Sequence, residues 1–145
     1  MTQKKTQSDR PVAGPSVLIV DDSFLMRRVL RNILEGDGQF HVCAEAANGI
    51  EALEKLREEM PDVILLDVEM PKMDGIEFVK RAKMVTDAAI IVISSITRPG
   101  SPEAMEVLSM GVADIIPKPS GVLSLDMETE RSDDLIQAVQ SAVSA

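Results

Sequence analysis

Five short apolar runs recur along the chain, and each leads into a longer stretch with helical spacing. No other feature restricts the fold as strongly. A strand that is apolar on both sides needs cover on both faces, and helices between successive strands supply it around a parallel sheet. The runs are SVLIV (16–20), FHVCAE (40–45), DVILL (62–66), AIIVI (89–93) and ADII (113–116). The second is the least apolar and suits a sheet edge. Apolar residues then repeat at helical intervals: Met26, Val29, Leu30, Ile33 and Leu34; Ala52, Leu53, Leu56 and Met60; Phe78, Ala82 and Val85; Ala104, Met105, Leu108 and Val107; Leu135, Ala138, Val139 and Ala142. Gly36 and Gly38 end the first helix, Asn48 with Glu51 forms a capping box for the second, and Pro61 stops it. Ser101 and Pro102 open the fourth, Gly111 closes it, and Ser132 opens the fifth.

Five strands alternating with five helices predict an α/β fold. Right-handed crossovers leave few topologies, of which the doubly wound, flavodoxin-like order 2-1-3-4-5 leads. In such sheets ligands bind beyond the carboxyl ends of the strands, where strand order reverses. The 145 residues suit one domain, expected at 16–145 behind a flexible tail at 1–15. A net charge of −9 argues against unaided binding to nucleic acid or to an anionic membrane surface. One cysteine (Cys43) and one histidine (His41) exclude disulfide frameworks and multi-histidine zinc sites. The N-terminal residues lack an apolar signal core and no run reaches spanning length, so a cytoplasmic location is expected.

Chemistry gathers at the strand ends. The first run ends in Asp21-Asp22, the third in Asp67 and the fourth in Ser94-Ser95, while Lys118 follows the fifth. Each alone is ordinary: a helix-capping acid, a turn acid beside Pro and Gly, a strand-end hydroxyl, a surface lysine. Together, on neighbouring strands, they form an acidic nest with a hydroxyl and an ammonium. Crowded carboxylates need a counter-charge, and an oxygen-only donor set suits Mg2+, which keeps open positions for water and phosphate. A carboxylate so placed is a candidate nucleophile, with Asp67 on the central strand the best oriented and Ser94 and Lys118 placed for phosphoryl oxygens.

VDDS (20–23), LDVEMPKMDG (66–75), Ser94 and KP (118–119) match in order and spacing the response-regulator receiver domain of two-component signalling, which this chain resembles over 16–145. The resemblance implies that Asp67 accepts the phosphoryl group from a phosphohistidine of a sensor kinase. It implies Mg2+ held by Asp22 and Asp67, with Asp21 assisting and the backbone carbonyl of Glu69 as a further ligand. Ser94 becomes the switch hydroxyl, and Lys118 precedes a cis peptide at Pro119. The output surface is the face of helix four, strand five and helix five, with exposed apolar groups in 105–110 contributing. DDSFLMRRVLRNIL, ISSIT and IPKPSGVLSLD are similar to the receivers of chemotaxis protein-glutamate methylesterases, which implies a chemotaxis kinase and a methylesterase output domain as partners. No Ser-His-Asp set for esterase chemistry is present, so the expectation is a phosphorylatable regulatory domain and not an enzyme. One departure stands out: the strand-five position that many receivers fill with an aromatic residue holds Ile115.

Alternatives are a stand-alone receiver with another partner, a flavodoxin-like binding module, or an aspartyl-phosphate hydrolase. The hydrolase needs a second acid two residues after a strand-one nucleophile, and Ser23 stands there. The flavin-binding module needs a phosphate-cradling loop after strand one, where acids stand instead, and no Trp or Tyr is available to stack a flavin.

Overall fold

Strands β1 (Ser16–Val20), β2 (His41–Ala46), β3 (Val63–Asp67), β4 (Ala89–Ser94) and β5 (Asp114–Pro117) pair in one sheet of order β2-β1-β3-β4-β5, every pairing parallel. The crossovers carry helices α1 (Phe24–Asp37), α2 (Gly49–Glu59), α3 (Gly75–Lys83) and α4 (Pro102–Ser109), and α5 (Ser132–Ser144) follows β5. The computed structural model describes residues 14–68, 75–94, 100–117 and 132–144. The doubly wound topology is the one the alternation of elements predicts.

Strand periodicity divides the core into two layers. Val17, Ile19, Leu65, Ile91 and Ile93 face one side, where Leu30 and Leu34 of α1 and Leu135 and Val139 of α5 cover them. Leu18, Val20, Ile64, Leu66, Ile90 and Val92 face the other, against Ala52 and Leu56 of α2, Phe78 and Ala82 of α3 and Val107 of α4. Full burial of each large apolar side chain contributes about 1.5–3 kcal/mol, so both faces of the central strands are fixed.

Helix ends follow local chemistry. Ser23 caps α1, its Oγ accepting from Met26 N at 3.1 Å, and Gly38 closes the helix at φ 82, a left-handed conformation favourable to glycine. Gly36, expected as a stop, lies inside α1 because Gly38 alone takes the left-handed turn. Asn48 Oδ1 accepts from Glu51 N at 2.9 Å, while Glu51 Oε1 accepts from Ala47 N, one residue before the expected capping-box partner. Ser101 caps α4 in the same manner, with Pro102 opening the helix.

Some residues on the apolar helix faces are exposed, Met105 and Leu108 within 105–110 among them, as the receiver resemblance implies. Met105 and Leu108 face solvent because, among the described residues, the short α4 buries only Ala104 and Val107 against the sheet. Met60 sits past the end of α2 in a left-handed turn, and Val85 lies beyond α3, so both leave the apolar faces their spacing suggested. The second, third and fifth strands each begin one residue later than the apolar runs indicate.

Candidate functional site

The carboxyl ends of β1 and β3 meet at the centre of the sheet. Val20 pairs with Leu66, which brings Asp21 and Asp67, the residues immediately after them, together. The ladder to β2 continues one step past β1 through Asp21 N, which donates to the Ala46 carbonyl at 3.0 Å. This fixes the direction of the acid pair. Asp21 is buried, and its Oδ1 accepts from Ser23 N at 2.9 Å, while Asp22 is exposed. Asp67 is the last residue of β3 and only 2 % exposed.

One carboxylate oxygen from each of Asp21, Asp22 and Asp67 lies within 4.8 Å of the others. At an effective dielectric of about 20, each pair of full charges at such a separation repels by roughly 3–4 kcal/mol. A cation removes that penalty. The donors are all oxygen, and the exposed Asp22 leaves one side open to solvent, so the residues present fit a hard divalent ion such as Mg2+.

Ser94 ends β4, fully buried, one residue beyond Ile93, the residue paired with Asp67. The structure therefore brings Asp21, Asp22 and Asp67 together and sets Ser94 on the adjoining strand end. Glu69 and Lys118, with the peptide before Pro119 and most of the loop after Ser94, lie outside the described residues. Ile115 is half-buried in β5 and packs against the α2–α3–α4 layer.

One part of the site carries no local sequence signal. Arg27 reaches back from α1 and donates through Nη1 to the Asp21 carbonyl at 2.7 Å and through Nε to Glu45 Oε1 at 3.0 Å. Glu45 lies 18 residues away on another element, beyond the reach of local spacing rules. Only the pairing of β1 with β2 joins them. Burial pushes the Glu45 carboxyl up, but hydrogen bonds from Arg31 and Arg27 outweigh it and hold it below the usual glutamate value. Cys43 and His41 take no part in the acidic cluster. Burial, with Glu59 nearby, pushes the Cys43 thiol up to about 11, and His41 N donates to the Pro15 carbonyl beside the edge strand.

The family model described as response regulator receiver domain matches residues 17–128. The chain is 48 % identical over 126 residues to a protein-glutamate methylesterase/protein-glutamine glutaminase of Halalkalibacterium halodurans, covering 87 % of this chain and 36 % of that protein. Its structure is similar to the response regulator domain of Thermotoga maritima CheB, with a TM-score of 0.85 and 36 % identity over 91 % of this chain and 98 % of that one. A complex of the P1 domain of CheA3 with CheY6 from R. sphaeroides also matches, with a TM-score of 0.74 and 38 % identity, covering 91 % and 99 %. The chain belongs to the response regulator receiver domain family, a class of regulatory domains. Its relatives here include receivers of methylesterases, of whose length it spans about a third. Among the described residues no helix is long and apolar enough to cross a membrane.

Proposed function

We propose that the chain is a phosphoacceptor receiver that takes a phosphoryl group from a histidine kinase onto Asp67 in the presence of Mg2+. The observation that carries this reading is the clustering of Asp21 and Asp22 around Asp67 at the carboxyl ends of the central strands, although 45 residues separate Asp22 from Asp67. An Asp67 carboxylate oxygen attacks the phosphorus of a phosphohistidine. The P–O bond forms as the P–N bond breaks, and the released imidazole takes up a proton from solvent.

Asp22 and Asp67, with Asp21 and the carbonyl of Glu69, would hold the ion, which when bound neutralises charge on the phosphoryl oxygens. Lys118 would pair with one phosphoryl oxygen. Ser94 Oγ would donate to another, and drawing it toward the new charge biases the segment after β4 and the surface of α4, β5 and α5. With Ile115 in β5, that relay runs without rotation of an aromatic ring.

The partners in this reading are a chemotaxis-type histidine kinase and a methylesterase output domain. The similarity to the CheB receiver and to the receiver bound to the P1 domain of CheA3 supports it. The chain's own chemistry would be limited to accepting and losing the phosphoryl group, in the cytoplasm.

Intact-mass analysis after incubation with acetyl phosphate tests the proposal. One phosphoryl group is expected with Mg2+, with none after chelation and none in Asp67→Asn. Equal uptake by Asp67→Asn would overturn it.

A further inference from the structure

We propose that Arg27 is a positioning residue for the cation site, holding the β1–α1 turn so that Asp21 and Asp22 present their carboxylates toward Asp67, and that Glu45 and Arg31 hold Arg27 to this task. The inference rests on the divalent-cation reading given above.

The Asp21 carbonyl belongs to the peptide plane that joins Asp21 to Asp22. Because that plane is rigid, its orientation sets the position of the Asp22 Cα, from which the carboxylate projects. The Asp21 residue is pinned at both polar ends of its backbone. Its N–H donates to Ala46 O at 3.0 Å, and its carbonyl accepts from Arg27 Nη1 at 2.7 Å. A charged donor makes the second bond short and strong.

The guanidinium fork spans two acceptors at once, the Asp21 carbonyl and Glu45 Oε1. Glu45 Oε2 in turn accepts from Arg31 Nε at 2.6 Å, and Arg31 pairs with Glu35 at 3.1 Å. Arg27 Cζ also lies 5.7 Å from the centre of the Phe24 ring. A solvated ion pair contributes little to stability. This one is partly buried, the Arg27 side chain being 15 % exposed, and it ends on a backbone carbonyl within the acid pair. It therefore fixes a direction, which a stability measurement alone does not report.

The test titrates Mg2+ by isothermal calorimetry into the full chain and into Arg27→Met, Glu45→Gln and the double variant, each checked for folding by circular dichroism. Loss of a partner that orients a metal ligand typically weakens binding about 10- to 100-fold. Arg27 acts through the backbone, so a rise in Kd of about tenfold is expected for Arg27→Met, at the low end of that range. Glu45→Gln is expected to weaken binding less and to add nothing once Arg27 is replaced. In hydrogen exchange without metal, the Ser23 amide, which donates to Asp21 Oδ1, should lose protection in Arg27→Met.

A folded Arg27→Met with unchanged Mg2+ affinity overturns the inference while leaving the cation site standing. If Arg27→Met fails to fold, Glu45→Gln decides, and unchanged affinity there overturns the inference equally. An unaltered chain that binds no Mg2+ refutes the cation reading itself, a result distinct from both.

Discussion

Gly75 opens α3 against the residue that follows the nucleophile candidate. Its N–H donates to the Val68 carbonyl at 3.1 Å, and a Cβ added there would lie 2.4 Å from Val68 Cα and 2.8 Å from Val68 Cβ. Ordinary contact begins at 3.4 Å, so Gly75→Ala must open a gap of 1.0 Å against backbone, not against a flexible tip. Overpacking of this kind costs about 1–3 kcal/mol, more than the gain of up to about 1 kcal/mol from better helix propensity. Because the displaced backbone adjoins Asp67, a misplacement of about 1 Å should also slow phosphoryl uptake, by up to roughly 100-fold. Urea denaturation and the rate of phosphorylation by acetyl phosphate read the two effects. Gly36→Ala is the control: nothing lies within 4 Å of its added Cβ, so a gain of about 0.4–1 kcal/mol and an unchanged rate are expected. An unaltered midpoint and rate in Gly75→Ala would refute the close-approach argument.

Three further outcomes follow from the packing and the charges. Phe78 is fully buried between the sheet and its helix layer, so Phe78→Ala should lose about 3–5 kcal/mol in urea melts, and a loss under about 1 kcal/mol would contradict that placement. Glu45 has its pKa lowered in the folded chain, so the stability it contributes is present above the unfolded value and lost as pH falls through the folded one. The gap between the native chain and Glu45→Gln should thus narrow as pH drops below the ordinary glutamate range, and a gap constant into acid would exclude the ion-pair cause. Cys43, raised to about 11, should react slowly with a disulfide reagent at neutral pH in the folded chain and quickly in urea. Equal rates would place the thiol in solvent.

Strand order and the strand-end acids were legible because both rest on short-range patterns. Apolar runs bounded by Asp21 and Asp67 mark where the strands stop, and right-handed crossovers then bring β1 and β3 side by side. Helix faces were less legible. Met60, Met105 and Leu108 fit an apolar spacing, yet spacing does not tell how long a helix remains against the sheet, and these three face solvent. Ser23 is the cap of α1, although by residue type the aspartates before it fit that role equally well. The Arg27–Glu45–Arg31 arrangement was invisible for a stronger reason. Charges of opposite sign abound in this chain, and only the β1–β2 register selects which of them meet.

The proposed phosphoacceptor is a single carboxylate, that of Asp67. Borohydride reduction of the chain after treatment with acetyl phosphate and Mg2+, followed by peptide sequencing, identifies the acceptor, since reduction converts an aspartyl phosphate to homoserine and marks its position. Homoserine at position 67 is the predicted result. Homoserine at position 21 or 22 with position 67 unchanged would contradict the assignment to Asp67.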